Sequence, residues 1–220
     1  MILIPVKNLS SAKQRLASML DQPARTELAQ AMLHDVVSAI AGWTGRPPSA
    51  LVTSDPFAID LAKQYDFEII LDPANPGETG AIEMATLICV ERGVDYTLII
   101  PADIPLIQAS ELNQILANAP EEGTVLVPAA DGRGTNAAFR RPADLFPLRF
   151  GNDSFKPHLA AAQATGKPCE VLQLPGIALD VDNPSDLQDL LAADGETRAQ
   201  SLVRRWNLGN GILTALTGGL

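Results

Sequence analysis

Lys7, Lys13 and Arg15 lie close together at the start of the chain, and no acidic residue precedes Asp21. The whole chain carries a formal charge of −10, so this cationic stretch stands against its background. Ile2-Leu3-Ile4-Pro5-Val6 before it reads as a buried strand, and Ala12 to Leu20 reads as the start of a helix. Strand-to-helix corners in α/β proteins hold phosphates on unpaired backbone N–H groups and added positive charge. The corner is therefore expected to be a nucleoside triphosphate site.

Carboxylates suited to a metal follow later. Thr97-Leu-Ile-Ile100 is a continuous apolar run of the central-strand type, and Pro101-Ala-Asp-Ile-Pro105 puts Asp103 just past its carboxyl end. That edge is where open α/β sheets bind ligands, and a carboxylate there suits Mg²⁺ on a substrate phosphate. Taken alone, Asp103 reads as a turn or N-cap aspartate. Leu179-Asp-Val-Asp-Asn-Pro184 shifts that reading. Asp180 and Asp182 share one face of an extended segment, where like charges call for a cation or a hydrogen-bond network between them. Asp103 with one of the two late aspartates is expected to hold Mg²⁺. The other is expected to cap the helix that opens at Pro184 or Ser185.

A third cluster joins Gly132-Arg-Gly-Thr-Asn136 to the stretch from Phe150 to His158. Gly134 and Gly151 allow close backbone approach. Thr135 and Ser154 offer hydroxyls, Ser154 at a helix start that favours anions. Arg133, Arg140, Arg141, Arg149 and Lys156 add positive charge nearby. The cluster reads as a second anion pocket, for an acceptor bearing phosphate or carboxylate, or else as a polar loop with a cap. His158 reads as touching that acceptor or as steadying its helix, and His34 as a surface or packing residue.

The elements that must position these groups alternate along the chain. Strands are expected at Ile2–Val6, Ala50–Thr53, Glu68–Leu71, Thr97–Ile100, Thr124–Val127, Asn136–Phe139 and Glu170–Leu174. Helices are expected at Ala24–Ile40, Phe57–Tyr65, Ala81–Arg92, Ser110–Leu116, Ser154–Ala164 and Ser185–Leu191. The alternation predicts an α/β fold with a mostly parallel sheet covered on both faces. At 220 residues, 46% of them hydrophobic, a single domain over 1–205 accounts for the chain. Residues 206–220 contain no charged side chain and read as a tail, either mobile or packed on a partner subunit in a homodimer.

Other classes are disfavoured. The acidic balance argues against nucleic-acid and anionic-membrane partners. Neither a Walker-type phosphate loop nor a Gly-x-Gly-x-x-Gly after the first strand is present. Cys89 and Cys169 read as reduced packing residues, too few with two histidines for the usual zinc site. No secretory leader or membrane-length apolar run is visible, so a cytoplasmic address is expected.

With these residues in view the chain resembles the 2-phospho-L-lactate guanylyltransferase family of coenzyme F(420) biosynthesis. The resemblance is carried by Pro-Val-Lys then Ala-Lys-Gln-Arg-Leu, Pro-Ala-Asp-Ile-Pro, Gly-Thr-Asn-Ala, Phe-Gly-x-x-Ser with His158, and Leu-Asp-Val-Asp-Asn-Pro, in that order. It implies a three-layer α/β/α sandwich of the nucleotide-diphospho-sugar-transferase (Rossmann-like) kind, shared with molybdenum-cofactor and sugar nucleotidyltransferases. It implies that Val6, Lys7, Lys13, Arg15 and Gly80 hold GTP, with Lys13, Arg15 and Asp103 catalytic. Asp103 and one of Asp180 and Asp182 would supply the Mg²⁺ ligands, and Thr135, Gly151 and Ser154 the acceptor site. Where the family shows Gly-Leu-Asn near the guanine and ribose, this chain has Gly80-Ala-Ile82. The implied reaction moves GMP from GTP to 2-phospho-L-lactate, phosphoenolpyruvate or 3-phosphoglycerate and releases pyrophosphate. The residues alone also admit a pterin or sugar-phosphate nucleotidyltransferase of this fold, or a non-catalytic nucleotide-binding module.

Overall fold

A computed structural model describes residues 1–74, 77–151 and 153–206. The expected tail from 207 onward lies outside the described residues. Seven strands form one mixed sheet: β1 (Ile2–Val6), β2 (Ser49–Thr53), β3 (Glu68–Leu71), β4 (Thr97–Ile99), β5 (Gly123–Pro128), β6 (Thr135–Arg141) and β7 (Cys169–Val171). Their spatial order is β3-β2-β1-β4-β6-β5-β7. Strands β1 to β4 pair in parallel, β6 runs antiparallel to both β4 and β5, and β5 and β7 are parallel. With β6 alone reversed the sheet is mostly parallel, as the alternation predicts.

The helices are α1 (Gln22–Ala41), α2 (Pro56–Gln64), α3 (Glu78–Glu91), α4 (Ala109–Ala117), α5 (Phe155–Ala164), the single turn α6 (Pro175–Ala178), α7 (Pro184–Ala192) and α8 (Arg198–Arg205). Local chemistry sets their starts. Asp21 accepts the Ala24 N–H ahead of α1, and Asp55 accepts the Ala58 N–H ahead of α2, each with a proline in the first turn. Alternation along β1 separates two cores. Ile2, Ile4 and Val6 pack with Leu33, Val36 and Val37 of α1 and with Leu112 and Ile115 of α4. Leu3 packs on the other face with Ile82 and Ala85 of α3 and Ala162 of α5. Successive side chains point to opposite faces, so one strand serves both layers.

A third apolar cluster lies apart from the sheet, where Leu16 and Leu20 meet Leu28 and Met32 of α1 and Leu202 and Val203 of α8. Trp206, the first residue of the expected tail, is half-buried against it.

The helix expected over Ala12 to Leu20 is not there. Two short 3-10 turns, Leu9–Ser11 and Gln14–Leu16, occupy the stretch, and the first α-helix begins at Gln22. The break is Lys13, whose backbone is left-handed at φ 55°, ψ 43°. A non-glycine residue in that region costs roughly 1–2 kcal/mol and interrupts a right-handed helix. The other expected elements occur with ends shifted by a few residues, α3 starting earliest of all against expectation, at Glu78.

Candidate functional site

The carboxyl ends of β1 and β4, the turn between β5 and β6, and the segment before α7 surround one cleft of about 760 Å³. Val6, Lys7, Lys13, Arg15, Asp103, Thr135, Gly151, Ser154, Asp180 and Asp182 all line it. A main-chain hydrogen bond aligns two of the contributing segments: the Val181 N–H donates to the Asp103 carbonyl at 3.1 Å. Val181 is itself fully buried, which turns Asp180 and Asp182 on either side of it toward the cleft.

Lys13 stands at the centre. Its Nζ donates to Asp103 Oδ2 at 2.7 Å and to Asp182 Oδ1 at 2.8 Å. Arg15 Nη1 reaches Asp182 Oδ2 from the open side at 3.3 Å. Burial alone would strip charge from the Lys13 amine, but the two carboxylates outweigh it and hold the group well above the ordinary lysine range. Burial likewise opposes the Asp182 charge, and Lys13 with Arg15 keeps that carboxyl below its usual range. The left-handed Lys13 backbone is held in place by this double anchorage.

Asp180 is held differently. Asn136 Nδ2 donates to Asp180 Oδ1 at 2.9 Å and to the Ile177 and Ala178 carbonyls at 3.0 Å each. Burial pushes the Asp180 carboxyl up to about 6, against the Asn136 bond and with the charges of Asp103 and Asp182 adding to the rise. Neither late aspartate caps α7. Asn183 is the N-cap residue, and Asp186 reaches back to the Asp182 and Asn183 N–H groups at 2.8 and 2.7 Å. The cap expected of one late aspartate is thus supplied by a residue further on, because Asp182 is committed to Lys13 and Asp180 to Asn136.

The cationic corner is also less open than its sequence suggests. Glu78, Asp103, Asp131, Asp153, Asp180 and Asp182 line the cleft against Lys7, Lys13, Arg15 and Arg133. Burial pushes Glu78 up to about 7, the Asp103 charge adding to it and Lys7 opposing. Glu78 has no marker in the sequence; it reaches the cleft because α3 starts there. A polyphosphate entering such a cleft needs additional positive charge, and hard carboxylate oxygens suit Mg²⁺. Among the described residues no three His, Cys, Asp or Glu side chains form a metal cage. Mg²⁺ requires none, since it binds through one or two carboxylates, waters and substrate phosphates. The donor set fits that ion.

Opposite the cations, β6 and the loop before α5 supply a wall of neutral donors. Thr135 and Ser154 are buried, with Ser154 Oγ donating to Thr135 Oγ1 at 3.4 Å. Ser154 precedes α5 but makes no side-chain capping bond, so its hydroxyl serves the wall and not the helix. Gly151 has φ +140° and open space where a Cβ would stand, so its backbone faces the cleft unshielded. Thr79 ties the wall to α3, accepting the Phe150 N–H at 3.0 Å. At the rim Arg133 pairs with Asp153 through Nε and Nη2.

Several expected contributors are elsewhere. Gly80 does not line the cleft; it lies inside the first turns of α3, while Ala81 and Ile82 are buried in the sheet core. Arg140 is buried and donates to the Phe146 carbonyl at 2.6 Å and to Thr86 and Thr97 hydroxyls at 2.9 and 3.2 Å. Arg141 pairs with Asp95 and lies over the Tyr96 ring. Both sit at the far end of β6, and at roughly 3.4 Å per residue Arg140 is about 17 Å along the strand from Thr135. Arg149 and Lys156 are exposed and outside the cleft lining. His34 packs edge-on against Tyr65. Cys89 and Cys169 are free thiols. No helix among the described residues is long and apolar enough to cross a membrane.

A family model described as "Guanylyl transferase CofC like" matches residues 1–210. Phosphoenolpyruvate guanylyltransferase of Sphaerobacter thermophilus is 35% identical over 85% of this chain and 90% of its own length. 2-Phospho-L-lactate guanylyltransferase of Methanothermobacter thermautotrophicus is 31% identical over 92% and 89%. 3-Phospho-D-glycerate guanylyltransferase of Colwellia psychrerythraea is 31% identical over 85% and 89%. Among solved structures, a nucleotide-diphospho-sugar transferase of Desulfovibrio desulfuricans superposes with a TM-score of 0.76 at 17% identity, covering 97% of this chain and 96% of that one. That likeness shows the fold alone, an α/β sandwich.

Proposed function

The chain belongs to the CofC-like guanylyl transferase family, and on that premise we propose that it transfers GMP from GTP to the phosphate of a small phosphorylated carboxylic acid. The acceptor is 2-phospho-L-lactate, phosphoenolpyruvate or 3-phosphoglycerate, and the product serves coenzyme F(420) biosynthesis in the cytoplasm. The observation that carries this reading is a single cleft with two unlike walls. One wall presents Lys7, Lys13 and Arg15 with carboxylates; the other presents the Thr135 and Ser154 hydroxyls and the bare Gly151 backbone.

In the proposed reaction an acceptor phosphate oxygen attacks the α-phosphorus of GTP in line. The new O–P bond forms as the bond to the β-phosphate oxygen breaks, and that electron pair leaves on pyrophosphate. A phosphate monoester is largely ionised at neutral pH, its second pKa being about 6. No general base is required, and catalysis consists of alignment and charge compensation. Lys7 and Arg15 meet the triphosphate from the open side, and Lys13 sets the charge at the floor. Thr135 and the Gly151 N–H hold the acceptor, with Ser154 Oγ donating to the Thr135 hydroxyl beside it. Asp103 with Asp180 or Asp182 would hold Mg²⁺, which when bound neutralises phosphate charge.

Pyrophosphate release tests the reading, with GTP, ATP, CTP and UTP each set against the three acids. Turnover with GTP and at least one acid is expected. No turnover in any pairing, with the protein folded and Mg²⁺ present, refutes it.

A further inference from the structure

Behind the acceptor wall stands a buried histidine that the reaction as written does not use. His158, in the first turn of α5, is 1% exposed. Its Nε2 accepts the Arg149 backbone N–H at 2.8 Å. A ring nitrogen that accepts a hydrogen bond carries no proton, so the neutral ring bears its proton on Nδ1. Burial, with Arg140 adding to it, pushes this imidazole down to about 4, which keeps it neutral near pH 7. Nδ1 lies 2.9 Å from Thr135 Oγ1 and so donates to it. Phe150 meets the ring edge-on at 5.0 Å and fixes its plane.

Thr135 Oγ1 therefore receives two donors, His158 Nδ1 and Ser154 Oγ. A hydroxyl has two acceptor positions and one proton. With both acceptor positions filled, the Thr135 hydroxyl is left only its own proton to offer, on the side of the cleft that Thr135 lines. We propose that His158 is a positioning residue for acceptor recognition: locked in one tautomer by the Arg149 backbone, it makes Thr135 an obligate donor to an anionic oxygen of the phosphorylated acid. The inference rests on the assignment of Thr135, Gly151 and Ser154 to the acceptor side.

Two near-isosteric substitutions separate the two bonds of the ring. His158→Gln keeps an acceptor near the Nε2 position for the Arg149 N–H and offers nothing at Nδ1. His158→Asn places an amide N–H near Nδ1 and restores the donor to Thr135. Initial rates of pyrophosphate release give the KM for acceptor and for GTP in each. His158→Gln is expected to raise the acceptor KM roughly tenfold, the size of one hydrogen bond to a charged group, with the GTP KM within about twofold. His158→Asn should return the acceptor KM to within about threefold of wild type. In a Thr135→Val background His158→Gln should add nothing further, because no hydroxyl remains to be oriented. An unchanged acceptor KM in His158→Gln, equal increases in both KM values, or additive effects with Thr135→Val would each overturn the proposal. If His158→Gln does not fold, the Asn variant decides alone: failure to retain the acceptor KM overturns it. Loss of all turnover in the wild-type protein would instead sink the functional reading on which it rests.

Discussion

Lys13→Met removes the ammonium at the centre of the site and keeps a side chain of similar length. In the wild-type chain that ammonium meets Asp103 and Asp182 at 2.7 and 2.8 Å. A charge-assisted hydrogen bond contributes roughly 1.5–3 kcal/mol. The two carboxylates are 30% and 35% exposed, so solvent screening reduces each contact to roughly 1 kcal/mol. The expected stability loss is about 2 kcal/mol, which in a domain of this size lowers Tm by about 4–8 °C. The effect on rate is larger. Loss of one preorganised electrostatic contact raises the barrier by about 3 kcal/mol, so kcat/KM should fall about a hundredfold. A companion pair separates the two effects. Lys13→Gly relieves the left-handed backbone at φ 55° that Lys13→Ala retains, worth about 1 kcal/mol. The glycine variant should therefore melt about 2–4 °C above the alanine variant while both are equally slow. Thermal melts and pyrophosphate release are the assays. A Lys13→Met protein with more than about a tenth of wild-type kcat/KM refutes the argument that this ammonium acts on phosphate charge.

Asp103→Asn keeps the side-chain size, and its backbone bond to Val181 is untouched; kcat should drop about a hundredfold with an unchanged circular dichroism spectrum, and near-normal kcat removes the metal role. His158 gives a signed pH effect. Its folded value is depressed to about 4 from an ordinary 6.5, so its stabilisation is complete above pH 6.5 and is lost as pH falls toward 4, by about 3 kcal/mol in all. Asp180 and Glu78, raised in the folded chain, work in the opposite sense. Denaturant melts of wild type and His158→Asn across that range isolate the histidine, and parallel curves would contradict it. Gly123→Ala would put a Cβ 2.3 Å from the Pro168 carbonyl oxygen on a backbone at φ +142°. A loss of about 3 kcal/mol or more is expected in denaturant melts, and a loss below about 1 kcal/mol would mean that β5 and β7 separate more readily than this register implies.

Much of the frame was legible in the residue order. Continuous apolar runs marked β1 and β4 with little error, because a strand buried on both faces carries its own local signature. The start of α1, expected at Ala24 and found at Gln22, was legible because the cap chemistry of Asp21 and Pro23 spans only a few residues. The stretch from Ala12 to Leu20 misled for the opposite reason. Its composition favours a helix, and the contact that breaks it lies far away in sequence.

That difference marks the boundary for the site as well. The sequence alone determined which side chains were available, Lys13, Arg15, Asp103, Asp180, Asp182, Thr135 and Ser154, and that Asp103 follows directly on a strand. Only the tertiary structure decided how they pair. Lys13 meets Asp103 and Asp182 across separations of 90 and 169 residues, while Asp180 goes to Asn136. It carried Arg140 into the core, brought Glu78 to the cleft and turned Thr135 against His158. Local patterns fix the direction of a side chain relative to its own strand or helix. Strand order and register fix which strand ends meet, and those depend on burying two sheet faces at once, a property of the whole chain that no single segment encodes.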